Sequence, residues 1–232
     1  MKVSVLAGVG GMLEFYDFIL YILFSSQISA SFFQEVQSEY IKSLLTIAVF
    51  SVAYVVRPIG GFLIGWLGDN IGRKKSFSFT ILLMAFCMFL MGIMPTYAQI
   101  GILAPIIFIL LRVVQGIALG GELPGAIVFV YESVDRKGIA LGVLFSMVFL
   151  GFILGDVMSL IFHHFFDENA WRIAFISGSA IAFVGYYIRK KLDETKMFSE
   201  LERKQKIPSI CNIKITTTKS GYSNSCRYYC GF

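Results

Sequence analysis

Charged residues are scarce in this sequence, and their scarcity excludes an ordinary soluble domain. Only 15% of the 232 residues are Asp, Glu, Lys or Arg, whereas soluble domains carry about a quarter. Hydrophobic residues make up 56%, and the mean hydropathy is +0.74. Basic loops of a membrane protein explain the net charge of +5 more simply than a nucleic-acid surface does. The composition therefore predicts a membrane protein with no nucleic-acid partner.

Motifs for catalysis and for metal binding are also missing. The two histidines and four cysteines match neither a zinc site nor a disulfide framework. There is no P-loop, no Gly-x-Ser-x-Gly and no His-Glu-x-x-His. We therefore expect no enzyme, no metal and no cofactor. Any transport would draw its energy from an ion gradient and not from ATP held by this chain.

Long apolar runs are what the sequence has in abundance. A bilayer core of about 30 Å needs roughly 20 apolar residues per helix. Six runs qualify, at approximately 5–29, 44–66, 77–94, 102–130, 139–162 and 173–188. Basic residues fall in alternate connections, at Arg73, Arg136, Arg189 and their lysine neighbours. By the positive-inside rule, this alternation predicts that both termini are cytoplasmic.

The six predicted spans divide into two triplets. The first span of each triplet carries the intramembrane charge, with Glu14 and Asp17 in span one and Arg112 and Glu122 in span four. Ionisable residues at corresponding places are typical of inverted repeats around a central site, although no clear sequence repeat accompanies them. The predicted fold class is an all-α membrane protein of six transmembrane helices in 3+3 inverted repeats.

The chain changes character after the sixth run. We assign residues 1–195 to the six-span bundle and residues 196–232 to a cytoplasmic tail. The tail is predicted to begin with a short charged helix and to continue as a disordered segment without helical periodicity. Its composition resembles that of out-of-frame translation.

Two acids in span one and a basic residue in span four are the candidate transport residues. Glu14, Asp17 and Tyr21 follow one another at spacings of three and four, so they share a helix face. Carboxylates inside a membrane are costly without water or a partner, so these two are candidates for proton uptake. Interfacial snorkelling or structural pairing is the alternative. Arg112 needs a buried partner, for which Glu14, Asp17 and Glu122 are candidates; a purely structural pair is its alternative role.

A glycine-rich basic stretch joins the second and third runs. Residues 65–75 read GWLGDNIGRKK, and residues 57–61 before them, at the end of span two, read RPIGG. Glycines four apart allow two helices to approach closely. Asp69 is placed to cap a helix or to pair with a guanidinium. Arg73, Lys74 and Lys75 are expected to hold this loop on the cytoplasmic side.

These motifs carry a resemblance to a known family. The stretch 65–75 resembles the loop between the second and third spans of major facilitator superfamily transporters, and R-x-x-Q-G-x-x-x-G at 112–120 matches a signature of that family. Further stretches resemble the metabolite:proton symporters and, within them, bacterial proline/betaine transporters. They are LEFYDF (13–18), VRPIGG (56–61), GGE (120–122), WRI (171–173) and LDET (192–195).

The resemblance implies two helical bundles that alternate access to a midplane site and couple solute uptake to protons. It implies that the chain holds the first bundle, in the bacterial cytoplasmic (inner) membrane, with the lipid bilayer, a small zwitterionic solute and a proton as partners. The matched proton and substrate pathway residues are Glu14, Asp17, Tyr21, Arg112, Gln115 and Glu122. The matched cytoplasmic gate loop residues are Arg57, Gly65, Gly68, Asp69, Gly72, Arg73 and Lys74.

Three functions stay open at this point. The favoured one is a proton-coupled symporter for proline or glycine betaine, truncated to its N-terminal half and inactive alone. The second is uptake of another small metabolite, such as an organic acid, by a homodimer or together with a separate second half. The third is a membrane scaffold without transport activity that binds through its tail.

Overall fold

The computed structural model describes residues 2–166 and 169–190, and the elements in these ranges are all α-helices. In chain order they are α1 (Lys2–Leu23), α2 (Ser25–Phe32), α3 (Glu39–Val55), α4 (Arg57–Ile71), α5 (Arg73–Ile93), α6 (Tyr97–Ile100), α7 (Leu103–Ser133), α8 (Lys137–Phe166) and α9 (Ala170–Lys190). The predicted tail at 196–232 lies outside the described residues.

Six helical segments of the described chain are long and apolar enough to cross a membrane, which confirms the predicted number. They are Ser4–Leu23, Glu39–Ile71, Arg73–Ile93, Leu103–Ser133, Lys137–Phe166 and Ala170–Lys190. Span two is built from α3 and α4 together, and the short helices α2 and α6 lie in the connections between spans.

Span two changes from α3 to α4 at Val56 because of the following proline. Pro58 has no backbone N–H to donate, so it is accommodated in the first turn of α4. Val56 nevertheless donates to the carbonyl of Val52 and accepts from Gly60, and the helix continues across the membrane. Arg57 therefore lies inside span two, so the prediction that it ends this span in the loop is wrong.

The predicted gate loop is reduced to a single residue between two helices. Gly72 has φ 110°, a value that favours glycine, and it separates the end of α4 from the start of α5. Gly65, Gly68 and Asp69 therefore lie in α4, whereas Arg73 and Lys74 form the first turn of α5. The sequence predicted a longer loop at this place, whereas the structure gives these residues to the end of span two and the start of span three.

The packing of the helices is symmetric between the two triplets. Helix α1 packs mainly against α8, α4 against α7, and α5 against α9. If spans one, two and three are exchanged with spans four, five and six, the contact between spans one and five becomes the contact between spans four and two. The contact between spans three and six stays the same. Because each repeat has three spans, the repeats are antiparallel. The contacts therefore agree with the predicted inverted repeats.

Helices α4 and α7 approach closely through small residues. A Cβ on Gly120 would lie 2.1 Å from the carbonyl oxygen of Arg57, so only glycine fits this crossing. Gly65 plays no such part, because a Cβ there would meet nothing within 4 Å. The prediction that Gly65 allows helix approach is wrong, because Gly65 borders a pocket that separates α4 from Phe77 of α5 and Pro124 of α7 at this level.

Candidate functional site

Glu14 lies on α1 in the middle of the bundle and is paired with a cation of span two. Arg57 Nη1 donates to Glu14 Oε1 over 2.6 Å. The Glu14 side chain is 3% exposed, whereas that of Arg57 is 24% exposed, so the pair lies at the edge of the buried region. The Arg57 guanidinium also lies 4.0 Å from the ring centroid of Tyr54. Sequence reasoning missed this pair because it placed Arg57 at the membrane edge.

Asp17 holds the buried arginine of span four. Arg112 Nη1 donates to Asp17 Oδ2 over 2.7 Å and to Gln115 Oε1 over 3.0 Å. Of the three predicted partners of Arg112, the structure selects Asp17. The guanidinium also lies 4.3 Å from the ring centroid of Tyr21. Tyr21 itself donates its hydroxyl to the carbonyl of Thr46 over 2.9 Å, which ties α1 to α3.

These five polar residues, which we call the Asp17–Arg112 cluster, are Glu14, Asp17, Arg57, Arg112 and Gln115. Each keeps at least one buried polar atom without a hydrogen-bond partner among the described residues. The atoms are Glu14 Oε2, Asp17 Oδ1, Arg57 Nε, Arg112 Nε and Nη2, and Gln115 Nε2. Buried polar atoms are normally paired, so a concentration of unpaired ones marks a place able to bind a polar ligand.

Glu122, the remaining predicted pathway residue, belongs to a separate cluster. Arg189 Nη2 donates to Glu122 Oε1 over 2.6 Å, and the Thr80 hydroxyl hydrogen-bonds the other carboxylate oxygen. Arg189 also donates to the carbonyls of Phe77 and Ala7. Both charged side chains are 0% exposed. We call Thr80, Glu122 and Arg189 the Glu122–Arg189 cluster; it reaches α1 at Gly10, one helical turn before Glu14.

Sequence reasoning also missed Arg189, which it counted among the exposed basic residues of a loop. The structure buries Arg189 completely, so that prediction is wrong. The signal was its spacing, because Gly178, Ala182 and Gly185 precede it at intervals of three and four residues. All three are buried, and Arg189 continues their helix face towards the bundle interior.

Asp156 differs from these paired charges. Its place inside the fifth apolar run predicts a hydrogen bond within the bundle, but Asp156 is exposed on α8 and has no hydrogen bond or ion pair to the described residues. Ile153, Val157 and Leu160 beside it are exposed as well. The expectation is wrong because this face of α8 points away from α1, its main packing partner.

At the basic end of the bundle, the gate residues form a short chain of charges. Arg73 Nη2 lies 2.9 Å from Asp69 Oδ1, one turn earlier, and 3.7 Å from Glu132 Oε1 at the end of α7. The prediction that Asp69 pairs with a guanidinium is confirmed. Asp69 is 66% exposed, so this pair lies at the surface of the described bundle.

A bundle of six apolar helices with buried ion pairs is typical of a membrane transporter, and comparison with known protein families supports this class. Residues 3–210 match the family model described as Sugar (and other) transporter. The chain belongs to this family of the major facilitator superfamily, whose members are transporters and not enzymes. The family implies a lipid bilayer and a small solute as partners.

Individual relatives narrow the comparison. The chain is 38% identical over 204 residues to a Staphylococcus aureus (strain COL) protein named "Putative proline/betaine transporter", which covers 85% of this chain and 44% of that protein. It is 34% identical over 206 residues to the proline/betaine transporter of Salmonella typhimurium (strain LT2), covering 86% and 41%. The chain thus spans about half the length of these curated relatives. Six apolar spans and bacterial relatives identify a multi-pass protein of the inner membrane.

Solved structures agree on the fold. The chain superimposes on the xylose transporter XylE from E. coli, in a partially occluded inward open conformation, with a TM-score of 0.78 and 18% identity. The match covers 88% of this chain and 52% of XylE. At this identity the likeness concerns the fold alone, that of the first six-helix bundle of a major facilitator transporter.

Proposed function

We propose that this chain is the six-span half of a proton-coupled symporter for small zwitterionic osmolytes such as proline or glycine betaine. The observation that carries the proposal is the Asp17–Arg112 cluster, which brings opposite charges and unpaired polar atoms together inside the spans. Charged residues within spans are functional candidates because hydrocarbon strongly disfavours them. The names of the relatives support the choice of solute class.

A zwitterionic solute matches the two opposite charges of the Asp17–Arg112 ion pair in this cluster. Its carboxylate fits the guanidinium of Arg112, whose Nε and Nη2 keep donors free of partners among the described residues. Its cationic group fits Asp17 Oδ1 and the aromatic face of Tyr21. Binding would therefore replace one internal ion pair by contacts of both partners with the solute.

Proton coupling follows from the same pairs. A proton on Asp17 or Glu14 removes the charge that holds Arg112 or Arg57, so protonation and the arrangement of the guanidinium are linked. Since Arg57 belongs to span two and Arg112 to span four, a change in pairing acts on two different helices. This link gives the transporter a physical means of coupling proton binding to movement.

The proposal requires a second six-span unit. Spans two and five are the least buried of the six, and both present large apolar side chains. Asp156 lies on the exposed face of span five, where contact with lipid tails would be costly, so we assign this face to contact with protein. The second unit is the remainder of a longer chain, a separate chain or a second copy of this one.

The gate residues and the orientation belong to the same proposal. Asp69, Arg73 and Lys74 stand at the basic end of the bundle, which we assign to the cytoplasm by the positive-inside rule, together with both termini. We assign to the exposed carboxylate of Asp69 a closing contact with the second unit. Labelling of an introduced cysteine at Lys190 from either side of the membrane tests the orientation once Cys211, Cys226 and Cys230 are replaced by serine, because the remaining native Cys87 is buried.

Uptake into proteoliposomes tests the function. With an imposed proton gradient and the second unit supplied, labelled proline or glycine betaine should accumulate, and Asp17→Asn should abolish accumulation. Asp135→Asn is the matched control, because Asp135 is exposed in the connection between α7 and α8. Equal uptake by both variants would overturn the proposed role of Asp17. The described chain without a second unit is expected to accumulate no solute.

Organic-acid uptake is the second candidate, since Arg112 also suits a lone carboxylate. Competition decides between them: excess organic acid should leave proline uptake unchanged if the solute is zwitterionic. A crosslinked dimer active without any other chain would favour the homodimer. The scaffold alternative depends on residues 196–232, which lie outside the described part of the chain.

A further inference from the structure

A groove between α5 and α9 is lined by residues that, apart from the gate residue Lys74, take no part in the proposed transport. Its volume is about 260 Å³, and it opens at the basic end of the bundle. None of its lining residues belongs to the Asp17–Arg112 or the Glu122–Arg189 cluster. It lies between spans three and six, the third members of the two triplets.

The rim of the groove is cationic. Lys74 and Lys75 line it from the first turn of α5, and Lys190 lines it from the last turn of α9. Lys75 and Lys190 are exposed, and no acidic residue is among the described residues that line the groove. The exposed ammonium groups of Lys75 and Lys190 share this opening and repel one another, so an anion between them would be stabilised.

The groove becomes less polar towards the middle of the membrane. Ser78 and Tyr186, one turn inward from Lys74 and Lys190, provide hydroxyl groups. Phe79 and Leu82 follow on the same face of α5, and Leu82 lies roughly 12 Å along the helix from Lys74. Phe79 is 47% exposed although it is large and apolar. Charge, hydroxyl groups and apolar surface thus succeed one another along the direction of the membrane normal.

We propose that this groove binds an anionic phospholipid, with the phosphodiester between the lysines and an acyl chain along Phe79 and Leu82. Lysine ammonium groups bind phosphate as point charges, and basic pockets between spans hold anionic headgroups. From the membrane surface inward the groove offers charged, then hydroxyl, then apolar groups. A phospholipid presents its charged headgroup, its polar ester groups and its acyl chains in the same order. The bound lipid would bridge α5 and α9, and this role does not depend on the solute.

Native mass spectrometry of the purified full chain tests the proposal, with phosphatidylglycerol and phosphatidylcholine as probes. Phosphatidylglycerol should be retained preferentially, and Lys75→Gln with Lys190→Gln should lower its affinity by about fivefold for each lysine. Arg136→Gln with Lys137→Gln is the control, because it removes the same charge from the same end of the bundle outside the groove. Equal losses in the two double variants would overturn the proposal, since they indicate attraction to the surface as a whole.

A second comparison tests the apolar part of the groove. Phe79→Ala should weaken retention of the lipid, whereas Phe145→Ala, at an exposed position on α8 outside the groove, should not. Inorganic phosphate in excess should fail to displace the lipid, because it has no acyl chain. Complete displacement by phosphate, or equal retention of phosphatidylcholine, would contradict a lipid site. If the double lysine variant does not fold, the single variants at Lys75 and Lys190 replace it.

Discussion

The Asp17–Arg112 and Glu122–Arg189 clusters use the same chemical groups in different surroundings. Each joins a carboxylate to a guanidinium at 2.6–2.7 Å inside the bundle. In the Glu122–Arg189 cluster both carboxylate oxygens are bonded, and Arg189 also donates to two backbone carbonyls, so that only Arg189 Nε is left without a partner among the described residues. In the Asp17–Arg112 cluster every member keeps an atom without a partner among the described residues, and Arg57 reaches the surface.

This difference indicates that a charged residue inside a membrane span does not necessarily take part in transport. A charge whose bonding capacity is almost used up by the protein ties helices together, and the Glu122–Arg189 cluster ties α1, α5, α7 and α9 in this way. A charge with capacity left can exchange its partner for a proton or a solute. On this comparison we expect Glu122 to maintain the bundle and Asp17 to serve transport.

Loss of Arg189 should have the largest effect. Arg189→Met leaves Glu122 buried without its cation, and breaking a buried pair costs about 3–5 kcal/mol of folding stability. Thermal unfolding in detergent, followed by circular dichroism, measures the loss. Lys190→Met is the control, because Lys190 is the exposed neighbour. If Arg189→Met unfolds at the same temperature as the parent, Arg189 has no structural role, and the proposed difference between the two clusters is wrong.

Gly10→Ala should have the next largest effect. Its Cβ would lie 1.5 Å from Glu122 Oε1 and 2.1 Å from Arg189 Nη2, so the pair would have to move. Overpacking typically costs about 1–3 kcal/mol. Gly65→Ala, where a Cβ meets nothing within 4 Å, should melt at or slightly above the parent temperature. Equal melting of the two variants would show that the cluster tolerates displacement.

Asp17→Asn should separate function from stability. The amide oxygen of asparagine still accepts from the charged guanidinium of Arg112, so the hydrogen bond is kept and only the counter-charge is lost. We therefore expect a loss of about 1–2 kcal/mol, smaller than that for Arg189→Met, which removes the hydrogen bonds as well. Gradient-driven uptake should nevertheless disappear, because the amide cannot take up the proton. Uptake and melting are measured on the same preparation, with Glu122→Gln alongside. Uptake lost in proportion to stability in both variants would make the two clusters equivalent.

Glu14→Gln should have the smallest effect on stability. Its partner Arg57 is 24% exposed and keeps its contact with the Tyr54 ring, so solvent compensates part of the lost pair and we expect about 1 kcal/mol or less. Glu39→Gln, at the exposed pair with Lys42, is the matched surface control. If Glu14→Gln lost as much folding stability as Arg189→Met, solvent would not compensate for the lost Glu14–Arg57 pair. The Glu14–Arg57 pair would then be as inaccessible to solvent as the Glu122–Arg189 cluster.

The sequence predicted most of the charged residues of the site, but it predicted few of the contacts between them. The spacing predicted that Glu14, Asp17 and Tyr21 share a helix face, and Asp17 and Tyr21 of that face contact Arg112 of span four. Their partners were harder, since the choice among Glu14, Asp17 and Glu122 for Arg112 depends on how α1 and α7 cross. Arg57 and Arg189 were misplaced because a basic residue near the end of an apolar run looks the same whether it turns outward or inward.

The number of spans, the family and the spans that carry charge could all be predicted from the amino-acid sequence. Hydropathy and charge act on each segment separately, because the bilayer is the solvent of every span. The pairing of the charges depends on tertiary packing, because the partners are far apart in the sequence. They are separated by 95 residues in Asp17–Arg112, 67 in Glu122–Arg189 and 43 in Glu14–Arg57. The tertiary structure also decided that Asp156 faces outward and Arg189 inward, because the packing of each helix against its neighbours selects the buried face.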